Sequence, residues 1–223
     1  MKKVNKVHLD GGVASCRVVP SPDGRAVAEV LLYTLYPAGA ESRFPSERYG
    51  KMYHRVRVVA GDGDGEAFSS VRDLEARLKD GPSGRPECRS VDGELVSAGG
   101  VTFVECPLSS FRPSASLKVQ DNNQVEISGS VVECSHTDRG ASVTIEAGRG
   151  RVTTFISREI NQGAWEMVSQ GRLPKGEAVS LKGPMLTRDY TDGRKTISAT
   201  VVSVHEVRQL RREVRKGNNP TLG

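Results

Sequence analysis

Residues 175–207, KGEAVSLKGPMLTRDYTDGRKTISATVVSVHEV, decide the fold class because they contain two strand patterns and a hairpin signal. Apolar and polar residues alternate over 179–182, and residues 196–204 are rich in β-branched side chains, as half-buried strands are. Asp192-Gly193 lies between the two runs, and an Asp-Gly pair there favours a tight hairpin turn. The sequence therefore predicts a projecting two-stranded ribbon.

Four side chains near this turn make the ribbon a candidate nucleic-acid-binding surface. They are three cations and one flat ring: Arg188, Tyr190, Arg194 and Lys195. Cations attract phosphates, and an aromatic ring is a platform on which an unpaired base stacks. The combination predicts a surface for single-stranded nucleic acid.

The spacing of residues within 175–192 is also that of a known family. The spacing matches without insertion or deletion at Lys175-Gly176, Val179, Leu181, Gly183, Thr187-Arg188 and Tyr190-Thr191-Asp192. The stretch resembles the fourth strand and following hairpin of bacterial single-stranded-DNA-binding proteins, which have the OB fold. In that family a tryptophan on which a base stacks usually occupies the position of Tyr190. The resemblance therefore implies a stacking role for Tyr190, which keeps the ring.

An internal repeat predicts two similar units. Residues 5–13 and 123–131 share the pattern Asn-x-Val-x-aliphatic-x-Gly-x-Val at an offset of 118 residues, and Cys16 and Cys134 keep the same offset. Each copy alternates like a strand with one buried face, and its glycine marks a bend or bulge. Duplication explains the aligned residues best. We expect a mainly β protein with two tandem OB-fold barrels, each five-stranded with Greek-key order and a short capping helix.

The repeat also places the domain boundaries. We expect an N-terminal OB-fold domain at residues 1–112, a C-terminal OB-fold domain at 121–207 and a basic tail at 208–223. The first copy is expected to have strands at 24–34 and 52–59 and a helix at 67–78, and the second to have strands at 141–147 and 152–158 and a helix at 161–170. Residues 80–100 depart from the family and are rich in loop-forming residues, so a short fourth strand is expected there.

A second stretch in the first copy resembles the same family. Tyr53-His54-Arg55-Val56 matches its aromatic-His-Arg-Val element, in which the aromatic is a DNA-stacking position. The resemblance thus implies that Tyr53 stacks on a base, while the adjacent Arg55 and Arg57 suit phosphate contacts.

Other aromatic residues and histidines have more than one interpretation. Tyr36 is a candidate platform if it leaves the barrel surface. Phe155 either stacks on a base or fills the barrel, and filling the barrel is the favoured interpretation. Trp165 has helical spacing and is expected to pack against the core. His54 and His205 lie in strand patterns and are expected to be structural groups.

The charge of the chain suits a polyanionic partner. The formal net charge is +5 and the pI is about 9.1. Near the C-terminal end, one acidic residue accompanies five cations: Arg208, Arg211, Arg212, Arg215 and Lys216. Arg211 and Arg212 are candidate phosphate contacts. Members of the family that the chain resembles usually end in an acidic tail that recruits replication proteins, and this tail is basic.

The sequence lacks motifs for catalysis or for a metal. It contains no G-x-S-x-G elbow, no H-E-x-x-H and no phosphate-binding G-x-x-x-x-G-K-[ST] loop, and its four cysteines form no C-x-x-C pair. No run is long enough to span a membrane, and the N-terminus is charged where a signal peptide is apolar. We therefore expect a non-enzymatic, cofactor-free and metal-free protein of the cytoplasm, associated with the nucleoid.

The predicted function is sequence-independent binding of single-stranded DNA in replication, recombination or repair. The alternatives are single-stranded RNA binding, which OB folds also support, and an OB-fold scaffold or primosome-like interaction protein with replication or recombination partners. Because members of the family bring four OB domains together, the resemblance implies a homodimer of this two-copy chain. Against that, the two copies could pair with each other inside one chain.

Overall fold

The first strand, β1 (Val4–Pro20), pairs with three other strands along its 17 residues, and the fold is arranged around it. The structure is a computed structural model. It describes residues 3–20, 26–37, 49–61, 68–79, 86–98, 101–118, 122–192 and 195–210, and at residues 20, 79, 188–192 and 195–199 it describes the backbone alone.

A closed five-stranded barrel forms in the first half of the chain. Besides β1 it contains β2 (Ala26–Pro37), β3 (Tyr49–Val59), β4 (Cys88–Ala98) and β5 (Val101–Pro107). The strands follow the order β1-β2-β3-β5-β4, with β3 and β5 parallel, and β4 returns to β1 to close the barrel. Long-range strand pairing therefore encloses the first core.

Helix α1 (Ser69–Lys79) lies between β3 and β4 in the chain and packs against β1. Val71 and Leu74 are buried, as is Phe68 just before the helix, and all three belong to the hydrophobic core. The helix predicted at residues 67–78 is therefore confirmed.

The order of elements recurs in the second half. It contains β7 (Asn123–His136), β8 (Gly140–Ala147), β9 (Gly150–Ser157), α2 (Gln162–Ser169), β10 (Ala178–Gly183), β11 (Met185–Asp192) and β12 (Lys195–Ser203). β9 and β12 run parallel, as β3 and β5 do. A short strand ends each half: β6 (Phe111–Pro113) pairs with β4, and β13 (Glu206–Gln209) pairs with β10. The prediction of a mainly β protein with OB-type topology is confirmed.

The sequence repeat corresponds to a repeat in backbone geometry. The register with the next strand shifts between Val13 and Ser15 in β1, and it shifts between Val131 and Glu133 in β7. These two irregularities are 118 residues apart, like the aligned residues of the sequence repeat. Bulges increase strand bending, so the repeat places the same bend in both first strands.

The repeated glycine allows an unusually close approach between strands. A Cβ atom at Gly129 would lie 2.1 Å from the backbone oxygen of Glu146, and one at Gly11 would lie 2.3 Å from that of Tyr33. Neither distance leaves room for a side chain, because backbone atoms cannot move aside. Glycine is therefore required at both positions for steric reasons.

The expectation of a short fourth strand in the first half is wrong. β4 is 11 residues long, whereas β10, its counterpart, is 6 residues long and ends before Pro184. β4 is regular because β1 pairs with its first part and β5 with its last part. In the second half Pro184 has no N–H for a ladder, and the chain resumes as β11.

The two halves pair with each other within the chain. The antiparallel pairing of β1 with β7 runs from Val4 opposite Ser128 to Leu9 opposite Asn123. Val7 lies opposite Val125, its own counterpart in the repeat. The pairing is therefore symmetric about this valine pair, and it joins the strands of both halves into one sheet.

The segment between the halves is fastened to β1 and β2. Lys118 Nζ donates to the buried carboxylate of Asp10 at 2.6 Å, and the Asp10 backbone N–H donates to Asn122 O at 2.9 Å. Asn122 Nδ2 in turn donates to Leu35 O at 2.7 Å. Although burial raises the pKa of Asp10, hydrogen bonds from Lys118 and its neighbours outweigh burial and lower that pKa.

All four cysteines are free thiols. Three are buried and Cys134 is half-buried, which agrees with the prediction of reduced, mostly buried residues. Burial raises the pKa of the Cys106 thiol to about 12. Among the described residues, no helix is long and apolar enough to cross a membrane.

Candidate nucleic-acid interface

The outer face of β3 alternates aromatic rings and cations. From the start of the strand this face carries, in order, Tyr49, Lys51, Tyr53, Arg55 and Arg57. Successive side chains on one face of a strand are about 6.6–6.8 Å apart, because each residue advances the strand by half that distance. The strand therefore presents rings and positive charges at a regular spacing.

The first part of this face lies on a two-stranded ribbon. β2 pairs with β3 from Val27 opposite Val59 to Pro37 opposite Tyr49. In the described pairings β1 accompanies β2 only as far as Tyr33. The ribbon formed by residues 34–37 and 49–52 thus continues past the β1–β2 pairing, and its outer-face residues Tyr49 and Lys51 are exposed.

Tyr53 lies beside a second tyrosine that is held in place. The Tyr33 and Tyr53 ring centroids are 6.0 Å apart with an interplanar angle of 55°. Tyr33 is buried, and its ring occupies the space that a side chain at Gly12 would fill. Lys51 Nζ lies 4.6 Å from the Tyr33 ring centroid, a cation–π distance. Tyr53 is 42% exposed and offers the outer ring of the pair.

The two predicted arginines differ in their surroundings. Arg55 is exposed and forms no ion pair with any residue that the structure describes. Arg57 Nη1 lies 3.8 Å from Glu105 Oε2, and Arg149 Nη1 donates to the other oxygen of Glu105 at 2.8 Å. Arg55 is therefore the better placed of the two for a phosphate, while Arg57 shares a carboxylate.

Tyr36 is exposed but lies on the opposite face of the ribbon from Tyr53. It is 45% exposed, and its position opposite Gly50 alternates with the outer row. The ring lies against Gly50, where an added Cβ would come within 2.3 Å of Tyr36 Cζ. The structure therefore does not bring Tyr36 and Tyr53 together on one surface.

Tyr49 and Lys51 belong to the same face and were missed by the sequence prediction. Tyr49 is 47% exposed. The signal that identifies them is the alternation of Tyr49, Lys51 and Tyr53, which strand periodicity places on one face. Because Pro37 pairs with Tyr49, the strand begins earlier than residue 52, where the prediction placed it.

His54 supports this face from beneath. It is fully buried, and its Nε2 lies 2.8 Å from Thr34 Oγ1, while Nδ1 has no partner among the described residues. Burial lowers the pKa of His54 to about 4, so the ring is neutral at neutral pH. The burial of His54 and its hydrogen bond with Thr34 support the prediction of a structural role.

Two solved structures are similar to nearly the whole chain. A deletion mutant of the single-stranded DNA binding protein from Thermus aquaticus has a TM-score of 0.63 at 17% sequence identity, covering 97% of this chain and 98% of that chain. The wild-type protein has a TM-score of 0.60 at 17% identity, covering 95% of each chain. The chain has the OB fold. No protein-family model matches the chain, and no curated protein matches it.

The second half of this OB-fold chain carries a different outer face. β9 takes the place of β3, because each pairs in parallel with the last long strand of its half. Its outward positions are Arg151, Thr153 and Phe155. Phe155 is half-buried and lies outside the described hydrophobic core, with its ring against Gly140. Its position thus agrees with an outer-face role and not with filling the barrel.

The predicted hairpin of the OB fold is confirmed as β11 and β12. Asp192 pairs with Lys195, and the hairpin turn at 193–194 lies outside the described residues. Thr187 N donates to Met52 Sδ at 3.2 Å, which brings β11 beside β3. The structure therefore places two ribbons next to each other, one from each half.

Several predicted site residues cannot be located by their side chains. The backbone of Arg188, Tyr190 and Lys195 lies in the β11–β12 ribbon, but their side chains are outside the described part of the structure, as is Arg194. Arg211 and Arg212 also lie outside the described residues. Arg208 belongs to β13, where it is opposite Ser180 and forms an ion pair with Glu206.

Trp165 packs against the core of the second half, as predicted. Its Nε1 donates to Thr137 O at 2.9 Å, and the Arg158 guanidinium lies 4.4 Å from its ring centroid. Among the described residues, no group of three or more His, Cys, Asp or Glu side chains is placed to hold a metal ion.

Proposed function

We propose that this protein binds single-stranded DNA without strong sequence preference. The observation that carries the proposal is the row of rings and cations on the outer face of β3, with the Tyr33–Tyr53 pair at its centre. Rings stack on any base and cations attract any phosphate, so this surface binds without reading sequence.

The likeness to the Thermus aquaticus proteins supports the same ligand. Both are named single-stranded DNA binding proteins, and the likeness runs over nearly the full length of each chain. The contacts themselves are assigned from the geometry of β3. We also propose a role in replication, recombination or repair, because each of these processes exposes single strands of DNA.

Each side chain has a distinct role in the proposed complex. Tyr53 stacks on one base, and Tyr36 offers a platform on the other face of the ribbon. Arg55 neutralises a phosphate, and Arg57 assists once it releases Glu105. Each base stack contributes about 1–3 kcal/mol, so two or three such contacts give useful affinity.

The second half extends the proposed path of the DNA strand. The residues assigned to this extension are Phe155, Arg188, Tyr190, Arg194, Lys195, Arg211 and Arg212. The contact of β11 with Met52 supports a path that continues from one ribbon to the other.

We also propose that the two halves are tandem OB-fold domains with the boundaries 1–112 and 121–207, followed by a basic tail. The repeated bulges and the equivalent parallel pairings support this division. The β1–β7 pairing provides a fixed junction between them.

The proposed function is tested by titrating labelled oligonucleotides with the wild type and with Tyr53→Ala and Tyr53→Phe. A dT oligomer is compared with duplex DNA and with a U oligomer at fixed salt. We expect single strands to bind better than duplex, because a duplex hides the base faces. Tyr53→Ala is expected to weaken binding of dT by about 5- to 150-fold, and Tyr53→Phe to stay close to the wild type.

Equal affinity for single strands and duplex would contradict the stacking mechanism. No binding to any oligonucleotide at low salt would contradict the proposed function and favour a scaffold role. Tighter binding of the U oligomer would reassign the ligand to RNA. Tyr53 is exposed, so thermal unfolding of each variant should match the wild type.

A further inference from the structure

A groove on the first barrel, the β1–β5 groove, lies next to the candidate interface. It crosses the outer faces of β1, β2, β3 and β5, and the side chains that matter here are Arg17, Leu31, Arg55, Arg57, Val101 and Phe103. The function predicted from the sequence assigns no role to Phe103 or Arg17. The groove is therefore an unassigned feature.

The floor of the groove is apolar. Leu31 lies opposite Arg55 in the β2–β3 pairing. On the other side of β3, Phe103 precedes Val104, which pairs in parallel with Val56, so Phe103 is the neighbour of Arg55 on β5. Val101, on the same face of β5, is 37% exposed. A ring and two aliphatic side chains thus lie within reach of water.

The walls of the groove are cationic. Arg17 Nη2 donates to Glu29 Oε2 at 3.1 Å, with both side chains more than half exposed. Exposed ion pairs contribute little to stability, because water screens the charges. Arg17 can therefore exchange Glu29 for another anion at small cost. Arg55, which has no ion pair among the described residues, completes the positive rim.

This combination suits one nucleotide. A base has two flat apolar faces and carries a phosphate at its edge, which matches a ring on an apolar floor with guanidinium groups above it. Three arginines and one carboxylate, that of Glu29, line the groove, so its side chains carry a net positive charge that suits an anionic ligand.

We propose that the β1–β5 groove is a second nucleotide subsite, in which Phe103 stacks on a base and Arg17 binds a phosphate. The proposal rests on the proposed binding of single-stranded DNA and extends its path. Arg55 is two residues from Tyr53 on the same face of β3 and is the neighbour of Phe103 across the β3–β5 pairing, so its position lies between those of the two rings. The DNA strand passes from Tyr53 over Arg55 and onto Phe103.

The test compares Phe103→Leu with Tyr53→Ala in titrations of a dT oligomer. Leucine keeps an apolar side chain on β5 and removes the ring, so the fold is expected to persist by circular dichroism and thermal unfolding. We expect Phe103→Leu to weaken binding by about 5- to 150-fold. Phe103→Tyr keeps a ring and should restore most of the affinity.

Arg17 is tested by salt dependence with a matched control. Arg17→Gln should reduce the slope of log K against log salt by about 0.7, the value for one phosphate contact on a single strand. Arg77→Gln is the control, because Arg77 lies on α1 and pairs with Glu87 as Arg17 pairs with Glu29. Its slope should equal that of the wild type.

Crosslinking locates the ring contact directly. A dT oligomer containing 5-iodouracil should crosslink to peptides that contain Tyr53 and Phe103. If Tyr53→Ala weakens binding while Phe103→Leu does not, and no crosslink forms at Phe103, the subsite is overturned and the proposed function stands. If the wild type binds no single-stranded oligonucleotide, the proposed function itself is contradicted. If Phe103→Leu unfolds the protein, the crosslink decides the question with the wild type alone.

Discussion

The side chain of Asn5 forms two hydrogen bonds with the backbone of Leu95, 90 residues later. Asn5 Nδ2 donates to Leu95 O at 2.8 Å, and Leu95 N donates to Asn5 Oδ1 at 2.9 Å. Asn123, its counterpart in the repeat, makes the same two bonds with Met185, at 2.7 and 2.8 Å. The repeated asparagine is therefore a cross-link between distant strands in each half.

Asn5→Ala should destabilise the protein substantially. Asn5 is buried, so its removal leaves the N–H and C=O of Leu95 without these partners, and each unsatisfied group costs about 1–3 kcal/mol. The measurement is urea unfolding of the wild type and the variant at pH 7. Gln162→Ala removes an exposed side-chain hydrogen bond to Glu166 and is the control, with a change within about 0.5 kcal/mol. Equal stability of Asn5→Ala and the wild type would show that the cross-link is dispensable.

The burial of His54 predicts a loss of stability in mild acid. Its pKa is about 4 in the folded protein and 6.5 in the unfolded chain, so the unfolded state binds more protons between these values. The contribution of His54 to the free energy of unfolding is therefore fully present above about pH 6.5 and is lost as the pH decreases towards 4. From pH 7 to pH 5 the loss from this group is about 2 kcal/mol.

The comparison of wild type with His54→Gln isolates that loss. Glutamine places an amide near Thr34 and does not titrate in this range. We expect the variant to lose about 2 kcal/mol less than the wild type between pH 7 and pH 5, measured by urea unfolding at both values. If the free energies of unfolding of the two proteins changed equally with pH, protonation of His54 would not destabilise the folded state.

The sequence predicts those parts of the fold that depend on residues which few other residue types can replace. The repeat is visible because Asn5 cross-links strands and Gly129 admits a neighbouring backbone, roles that few other residues can perform. The regularity of β4 is not visible, because the strand contains Asp92 and Gly93, which have low strand propensity. That regularity comes from pairing with β1 and β5, and β1 is distant in the chain.

The sequence predicts some residues of the candidate site and misses others. Tyr53 and Arg55 are predicted because Tyr53-His54-Arg55-Val56 resembles an element of the single-stranded-DNA-binding family in which the aromatic stacks on a base. Tyr49 and Phe103 are not, because Tyr49 begins a strand after a long loop and Phe103 reaches the face through the parallel β3–β5 pairing. Neighbours across a parallel pair have no signature in local sequence.

The Asp10–Lys118 ion pair should stabilise more than a surface pair of the same type. Lys118 Nζ lies 2.6 Å from Asp10, whose side chain is 2% exposed, whereas Lys3 Nζ lies 3.0 Å from Glu146, which is 57% exposed. Lys118→Met leaves a buried carboxylate short of a partner and should cost about 1–3 kcal/mol. Lys3→Met should cost less than about 1 kcal/mol. Equal costs in urea unfolding would argue against burial as the source of the difference.

The basic tail should contribute to DNA binding through its charge. Residues 208–210 are excluded from the deletion, because Arg208 and Gln209 pair with β10 and Leu210 N donates to Ala178 O. Removal of residues 211–223 takes away four cations and one acidic residue. We expect weaker binding of a dT oligomer and a shallower salt slope, by about 0.7 for each phosphate that the tail no longer neutralises. The control is deletion of residues 217–223, which hold no charged side chain. If both truncated proteins keep the salt slope of the full-length protein, the tail is not part of the interface.

The remaining prediction concerns assembly, for which the sequence resemblance implies a homodimer. The β1–β7 pairing already joins the two halves within one chain, so a dimer has to use other surfaces. In the described sheet order, β11 and β6 are the end strands, and edge strands present unpaired backbone groups that a symmetric partner can cover. Light scattering at micromolar concentration should give twice the chain mass of 24.1 kDa. A mass of one chain that stays constant on dilution and on addition of a dT oligomer would refute the dimer, and the intrachain pairing would then account for the whole assembly.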